Sequence, residues 1–208
     1  KYLVASEVLT DTLAKQGYDT KFLPPMFTEK FGQLRKIGPV LDYCLVGHMG
    51  EGKNVELVIE AFIELYKRGS KAQITFYGGT EERLEELRNR YDLPPTIRFK
   101  GIVNEVPYHL HQCYLSASYT ELFANACVEA LNQGLLALLS DVEIAHRFYA
   151  GQSNAINLFK TKSELIQKIE EMEQADYRQS NAENIALAAH YSLGTVAQSY
   201  RELLDRNF

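Results

Sequence analysis

Apolar residues recur along the chain with two different periods, and the switch between them sets the first expectation. Short runs rich in β-branched and aromatic residues stand at 43–46 (YCLV), 73–77 (QITFY), 96–99 (TIRF), 114–117 (YLSA), 135–139 (LLALL) and 155–159 (AINLF). Each reads as a strand. Between them the period lengthens. Over residues 54–68, Val55, Val58, Ile59, Phe62 and Tyr66 fall at helical spacing and make one apolar stripe. Residues 80–91 repeat the pattern with Leu84, Leu87 and Tyr91, and set Glu86 four residues before Arg90 on the outer face. Strands that are apolar throughout and separated by helices predict a parallel sheet covered on both faces. The expected fold is therefore α/β, a doubly wound Rossmann-like domain.

The two ends follow other rules. Residues 2–6, 7–17 and 20–25 read as strand, helix and strand. Pro24 and Pro25 then open a polar stretch reaching Pro39, which is a linker signal. From Lys162 onward the pattern is helical, over 162–173, 181–190 and 195–206, and the last helix carries Val196, Tyr200, Leu203 and Leu204 on one side. Three units result: 1–39, 40–190 and a terminal helix at 191–208.

Composition narrows the partners. With 46% of 208 residues apolar and 24% charged, the chain can bury a real core and is not a disordered segment. The formal charge of −5 argues against nucleic acid, whose binders are basic. No apolar run approaches the length of a membrane span. Cys44, Cys113 and Cys127 are odd in number and form no C-x-x-C pair, which excludes a zinc ribbon or a disulfide framework; they read as buried thiols in a reducing compartment. Lys1 is not an initiator Met, so the sequence is expected to begin inside a longer protein.

Ligands of open α/β sheets bind outside the carboxyl ends of the strands, which directs attention to two loops. The first, VGHMGEGKN at 46–54, has three glycines and ends in Lys53 where a helix begins. Close backbone approach, a lysine and a helix N-terminus would suit a phosphate. The loop is not a P-loop, because Asn54 stands where Ser or Thr is needed, and it is not G-x-G-x-x-G. A plain strand-to-helix turn remains the alternative. The second, SYTELFANACVEALNQG at 118–134, places Glu121 at a loop end and Glu129 eight residues on. If its helix starts near Phe123, the amides of Ala124 and Asn125 point at a ligand and Glu129 lies about 5–6 Å further up the same face. An anion at the helix end with a diol beside the first turn is the shape of a nucleoside diphosphate; two solvated carboxylates are the alternative. The segment YHLHQC, with His109 and His111, reads as an amphipathic helix and not as a metal pair. No G-x-S-x-G elbow is present.

Taken in order, these segments resemble the retaining glycosyltransferases of GT-B architecture, in the group 1 or GT4-type family. The family's V-G-R-x-x-x-E-K-G turn is matched by LVGHMGEGKNVELVIEAF, its glycine pair by ITFYGGTEERLEEL, its V-x-F-x-G by IRFKGIV, its P-S-x-x-E-x-F-G-x-x-x-x-E-A by ASYTELFANACVEA, and its G-x-P-V-x-x-S-D by GLLALLSDV. The resemblance implies that residues 40–190 form the C-terminal, donor-binding half of the fold, that 1–39 close a preceding acceptor domain and its linker, and that 191–208 form a crossover helix. It implies that Lys53 neutralises the donor diphosphate, that Glu121 meets the sugar hydroxyls and that both serve catalysis. Glu129 would hold the ribose, the amides near Phe123, Ala124 and Asn125 the phosphate or sugar oxygens, and the backbone at Gly101 and Ile102 the base. Gly47, His48 and Gly78 count with the donor-binding residues on the same ground.

No cofactor and no metal is implied. The donor is a substrate, a nucleotide diphosphate-sugar with UDP the expected nucleotide. The acceptor would be a glycan or a lipid-linked glycan held by the N-terminal domain, in a cytoplasmic protein whose full-length form associates peripherally with the inner membrane face; this part alone would be inactive. The chain departs from the pattern at His48 (for Arg), Ala117 (for Pro), Ala124 (for Gly) and Leu135 (for Pro). Those departures keep a second expectation open: a non-catalytic GT-B-like partner subunit that binds nucleotide weakly or not at all.

Overall fold

The structure is a computed structural model and describes residues 2–4, 7–22, 39–119, 121, 123–141, 144–174 and 181–205. Its elements run β1 (Tyr2–Val4), α1 (Glu7–Lys15), β2 (Thr20–Phe22), β3 (Asp42–Val46), α2 (Val55–Lys67), β4 (Gln73–Tyr77), α3 (Glu81–Arg90), β5 (Ile97–Gly101), β6 (Cys113–Ser116), α4 (Asn125–Asn132), β7 (Leu136–Ser140), α5 (Ile144–Ala150), β8 (Ile156–Phe159), α6 (Lys162–Gln174), α7 (Asn181–Ala189) and α8 (Leu193–Asp205). Strands β3 to β8 form one six-stranded parallel sheet in the order β5-β4-β3-β6-β7-β8. The expected doubly wound, Rossmann-like fold with a helical C-terminal segment is what the chain adopts. The linker expected up to Pro39 falls mostly on residues 23–38, outside the described residues, as do the last residues of the strand expected at 20–25.

Burial explains the strand assignments. Every residue of β6 and β7 is buried, as strands covered on both faces require. At the sheet edge β5 alternates between buried and open positions. One apolar layer, under α2, α3 and α6, gathers Leu45, Phe62, Phe76 and Leu115; the other, under α4 and α7, gathers Tyr77, Tyr114, Val128 and Leu139. On α2 the stripe buries Val55, Val58, Ile59 and Phe62 as the spacing predicts. Leu65 completes it, and Tyr66 stands exposed instead. Cys44, Cys113 and Cys127 are buried free thiols, and that burial holds each above the ordinary thiol range. No described helix is long and apolar enough to cross a membrane.

Two local expectations are corrected, and one element is added. The segment with His109 and His111 is no amphipathic helix: a single 3-10 turn, Tyr108–Leu110, ends at an extended His111. That histidine is pulled inward by Asp42 (Nδ1 to Oδ1, 2.5 Å) and by the Tyr77 hydroxyl (2.8 Å from Nε2), which stops the helix before it forms. Glu86 pairs with Arg83 at 2.8 Å and not with Arg90, whose guanidinium lies over the Tyr91 ring, 5.5 Å from its centroid. Helix α5 had no counterpart in the pattern, because seven residues, five of them apolar, are too few turns to show a helical stripe.

The carboxyl ends of β3, β4 and β5 are stitched by backbone alone. Gly47 N donates to Tyr77 O at 2.9 Å and Gly78 N to Gly101 O at 2.6 Å. Gly78 has φ of +103°, and a Cβ there would meet Gly47 O at 2.1 Å. Gly69, at φ of +83°, has nothing within 4 Å of such a Cβ. Gly78→Ala is therefore expected to cost about 3 kcal/mol, strain plus overpacking, and Gly69→Ala only about 1 kcal/mol of strain. Urea denaturation of the two variants checks the difference; equal costs would show that the close approach of Gly78 to Gly47 is not what constrains this end of the sheet.

Candidate functional site

The sheet winds outward from β3 to β5, returns to the centre at β6, and winds the other way to β8. At that reversal two neighbouring strands send their loops to opposite faces, and a crevice opens between them. The loop after β3 follows a demanding path. Met49 (φ 57°) and Asn54 (φ 49°) are both left-handed, and a 3-10 turn, Glu51–Lys53, lies between them. Met49 is fully buried, packs within van der Waals reach of Gly79, and is held by Arg83, whose Nε donates to Met49 O at 2.9 Å. The Arg83 guanidinium also pairs with Glu56 at the start of α2. Sequence reading missed Arg83 altogether, and its only signal was a basic residue in the first turn of an acidic helix.

Within this frame Gly47 lies under the Lys53 stem, so a Cβ there would sit 2.9 Å from Lys53 Cε. Lys53 Nζ crosses the crevice to pair with Glu121, each side chain 16% exposed. Beside the pair, Tyr119 N donates to Gly52 O at 2.9 Å, so backbone as well as charge joins the two loops. His48 is exposed, and its Nδ1 accepts the Gly50 N–H at 3.0 Å. That bond leaves Nε2 as the donor of the neutral ring.

Behind Glu121 stands a stack of buried hydroxyls. Ser118 Oγ donates to Glu121 Oε1 at 3.1 Å and accepts from Ser116 Oγ at 3.1 Å. Ser140 Oγ donates to Ser118 O at 2.7 Å, and His146 Nδ1 donates to Ser140 O at 3.0 Å. Burial lowers His146 to about 4, against the Ser140 carbonyl, which favours the charged ring.

Helix α4 begins at Asn125, two residues later than Phe123, because Ala124 adopts a left-handed conformation (φ 59°, ψ 56°) and turns the chain into it. Ala124, at the N-cap position, makes no side-chain cap bond. The Phe123 carbonyl accepts the Tyr149 hydroxyl at 2.5 Å, and its ring packs edge-on against Tyr149 and Tyr191 and beside Phe22 of β2. The Phe123 side chain is thus part of the core. One turn along from Asn125, Glu129 Oε2 accepts the Tyr108 hydroxyl at 3.0 Å. Crowding by protein raises Glu129 above the usual carboxylate range, and the Tyr108 bond partly reverses this. Tyr108 is itself pushed up, first by burial and then by the Glu129 charge, so it stays a protonated donor. Sequence reading missed Tyr108 by giving its segment to a helix.

The residues expected on sequence grounds therefore gather at one end of the sheet in three groups. Gly47, Lys53 and Glu121 touch at the reversal, with Gly78 packed beneath Gly47 and His48 on the outer turn. Ala124, Asn125 and Glu129 line the first turns of α4. Gly101 and Ile102 close β5 at the sheet edge, Ile102 being 80% exposed. Among the described residues no group of three His, Cys, Asp or Glu could hold a metal ion.

The family model described as "Glycosyl transferases group 1" matches residues 26–187. Among solved structures, the crystal structure of the GtfA/B complex is similar with a TM-score of 0.83 at 18% identity, over 99% of this chain and 45% of that one. The pneumococcal O-GlcNAc transferase GtfA, in complex with UDP and GlcNAc, gives 0.74 at 17% identity, over 99% and 45%. Anabaena HepE in complex with UDP gives 0.80 at 17% identity, over 98% and 63%. The chain thus spans 45% to 63% of the length of these structures, and at such identities the likeness is one of fold. A comparison with curated proteins gave no match.

Two predictions follow from local geometry. In Ala124→Gly, relief of about 1 kcal/mol of left-handed strain offsets about 0.8 kcal/mol of lost methyl burial, so stability should stay within about 1 kcal/mol of wild type. Ala124→Val puts a β-branched side chain at positive φ and should cost clearly more; urea midpoints compare the two. The second concerns pH. His146 binds its proton more weakly folded than unfolded, so below pH 6.5 the unfolded chain takes up the proton first. This group's contribution is full above pH 6.5 and falls by about 1.4 kcal/mol per unit toward pH 4, roughly 3 kcal/mol in all. Urea titrations of wild type and His146→Asn across that range should diverge by this amount, and parallel curves would refute the assignment.

Proposed function

The chain belongs to the group 1 glycosyl transferase family, and we propose that it is the donor-binding half of a retaining GT-B, GT4-type transferase that moves a sugar from a nucleotide diphosphate-sugar to a glycan or lipid-linked acceptor. The observation that carries this reading is the Lys53–Glu121 pair at the strand reversal, flanked by the start of α4, where Ala124 brings no side-chain cap, with Glu129 one turn in. An ammonium has three donors. Lys53 can keep Glu121 Oε1 and still turn two N–H groups to a diphosphate. Negative charge gathers on that diphosphate as the sugar departs, and Lys53 with the first turn of α4 stabilises it where it develops. Glu121 takes the sugar hydroxyls. Glu129, with Oε2 steadied by Tyr108, accepts the ribose hydroxyls, and the backbone at Gly101 and Ile102 meets the base.

On this reading UDP is the donor nucleotide and no metal or further cofactor takes part. Residues 1–39 belong to the end of an acceptor domain and its linker, 40–190 to the donor domain and 191–208 to a crossover helix. The acceptor must be held in line with the donor inside a closed cleft, so the chain alone should bind nucleotide but not transfer sugar. The complete protein would work in the cytoplasm, at the inner face of the membrane. A non-catalytic partner subunit is the second reading, and His48 favours it. With Nδ1 tied to Gly50, the neutral ring offers a single donor where the family arginine offers a fork.

Calorimetric titration with UDP, GDP, dTDP and ADP separates the readings: binding of one nucleotide supports the donor site, and binding of none supports the partner subunit. Charge-assisted bonds to a ribose diol contribute about 1.5–3 kcal/mol each. Glu129→Gln should therefore weaken binding of the preferred nucleotide tenfold or more, with an unchanged circular dichroism spectrum. Unchanged affinity would falsify the ribose role.

A further inference from the structure

His146 is fully buried on α5, outside every motif that the donor reading uses. Its Nδ1 lies 3.0 Å from Ser140 O and 3.2 Å from Ser140 Oγ. A carbonyl oxygen only accepts, so Nδ1 carries the proton and Nε2 is the acceptor nitrogen. Nε2 makes no hydrogen bond within the described protein. A buried acceptor left so is costly, and a residue present for packing alone, a Phe or a Leu, would not bring one. What the ring does supply here is the N–H at Nδ1.

What it holds leads to the candidate site. The Ser140 hydroxyl donates to Ser118 O at 2.7 Å, and the Ser118 hydroxyl donates to Glu121 Oε1, the same oxygen that Lys53 pairs with. Ser116, Ser118, Ser140 and His146 are each more than nine-tenths buried. The links run from residue to residue: His146 holds the Ser140 backbone, the Ser140 hydroxyl holds the Ser118 backbone, and the Ser118 hydroxyl holds the Glu121 carboxylate, so a shift at one residue displaces the next. We propose that His146 is a positioning residue for Glu121, acting through Ser140 and Ser118 to fix the angle of that carboxylate in the crevice. The inference rests on the donor reading for its consequence, namely discrimination of the donor sugar, and on geometry alone for the positioning.

Three variants of the 208-residue chain test it. His146→Phe keeps the ring volume and removes the donor. His146→Asn returns an N–H at the place of Nδ1. Ser140→Ala cuts the hydroxyl link and leaves the imidazole in place, so it serves as well should the Phe variant fail to fold. The first readout needs no ligand: the 13C signal of the Glu121 carboxyl, assigned through Glu121→Gln, should move in His146→Phe and Ser140→Ala and return in His146→Asn. The second is calorimetric: His146→Phe should lose at least fivefold in affinity for UDP-glucose while its affinity for UDP holds, and His146→Asn should recover to within twofold. An unmoved Glu121 signal in both the Phe and the Ala variants overturns the positioning role. Equal weakening toward UDP and UDP-glucose overturns it too, since a general structural effect would act on both. A wild type that binds neither compound defeats the donor reading instead, and the carboxyl signal then decides the positioning by itself.

Discussion

The molecule is organised around one ion pair. Lys53 and Glu121 come from loops on adjacent parallel strands, and each keeps only 16% of its side-chain surface. A charge that enclosed is costly without its counterpart, so removal of either side chain would leave the other enclosed and unpaired between the two loops. The backbone bond from Tyr119 to Gly52 fixes the same distance a second way. This junction falls at the reversal in strand order because only there do neighbouring strands send loops to opposite faces, leaving space that no connecting helix fills.

The rest of the structure supports that junction from two sides. On the β3 side Arg83 ties Met49 to Glu56, so α3, α2 and the glycine loop move together. On the β6 side the Tyr149 hydroxyl and the edge-on rings of Tyr149 and Tyr191 clamp Phe123, and with it the left-handed Ala124 that aims α4. Strain at Met49 and Ala124 is tolerated because dense packing surrounds both residues, the one fully buried and the other nearly so. Phe22 of β2 reaches the same aromatic cluster, so the small N-terminal β-α-β unit touches the wall of the candidate site.

Periodicity carried much of this. All six strands of the sheet lie within about two residues of their expected places, since fully buried parallel strands are continuous apolar runs that few other structures need. The order of the loops put Lys53, Glu121 and Glu129 at the carboxyl end of the sheet, where the structure has them. Periodicity failed where contacts distant in sequence decide the outcome. His111 stops a helix through Asp42 and Tyr77, partners 69 and 34 residues away. Arg83 finds Met49 across 34 residues. Ala124 carries no local mark of positive φ, a conformation that glycine would have announced. The hydroxyl series behind Glu121 joins β6, β7 and α5, and nothing in local spacing links those segments.

The four departures from the family pattern differ in physical kind. Leu135 donates its N–H to Ala130 O at 3.1 Å and its carbonyl accepts from Asn184 at 2.6 Å, so the residue in place of proline gains a bond that proline cannot make. Ala117 is 1% exposed at the end of β6, where a small side chain continues the core. Ala124 keeps the left-handed turn that glycine would make more easily. These three alter packing and leave the direction of every polar group at the crevice to their neighbours. His48 alone changes a group that can carry charge, and it does so on an exposed turn with one ring nitrogen already engaged. The choice between a working donor site and a partner subunit therefore narrows to how much positive potential the glycine loop needs beyond Lys53 and the start of α4.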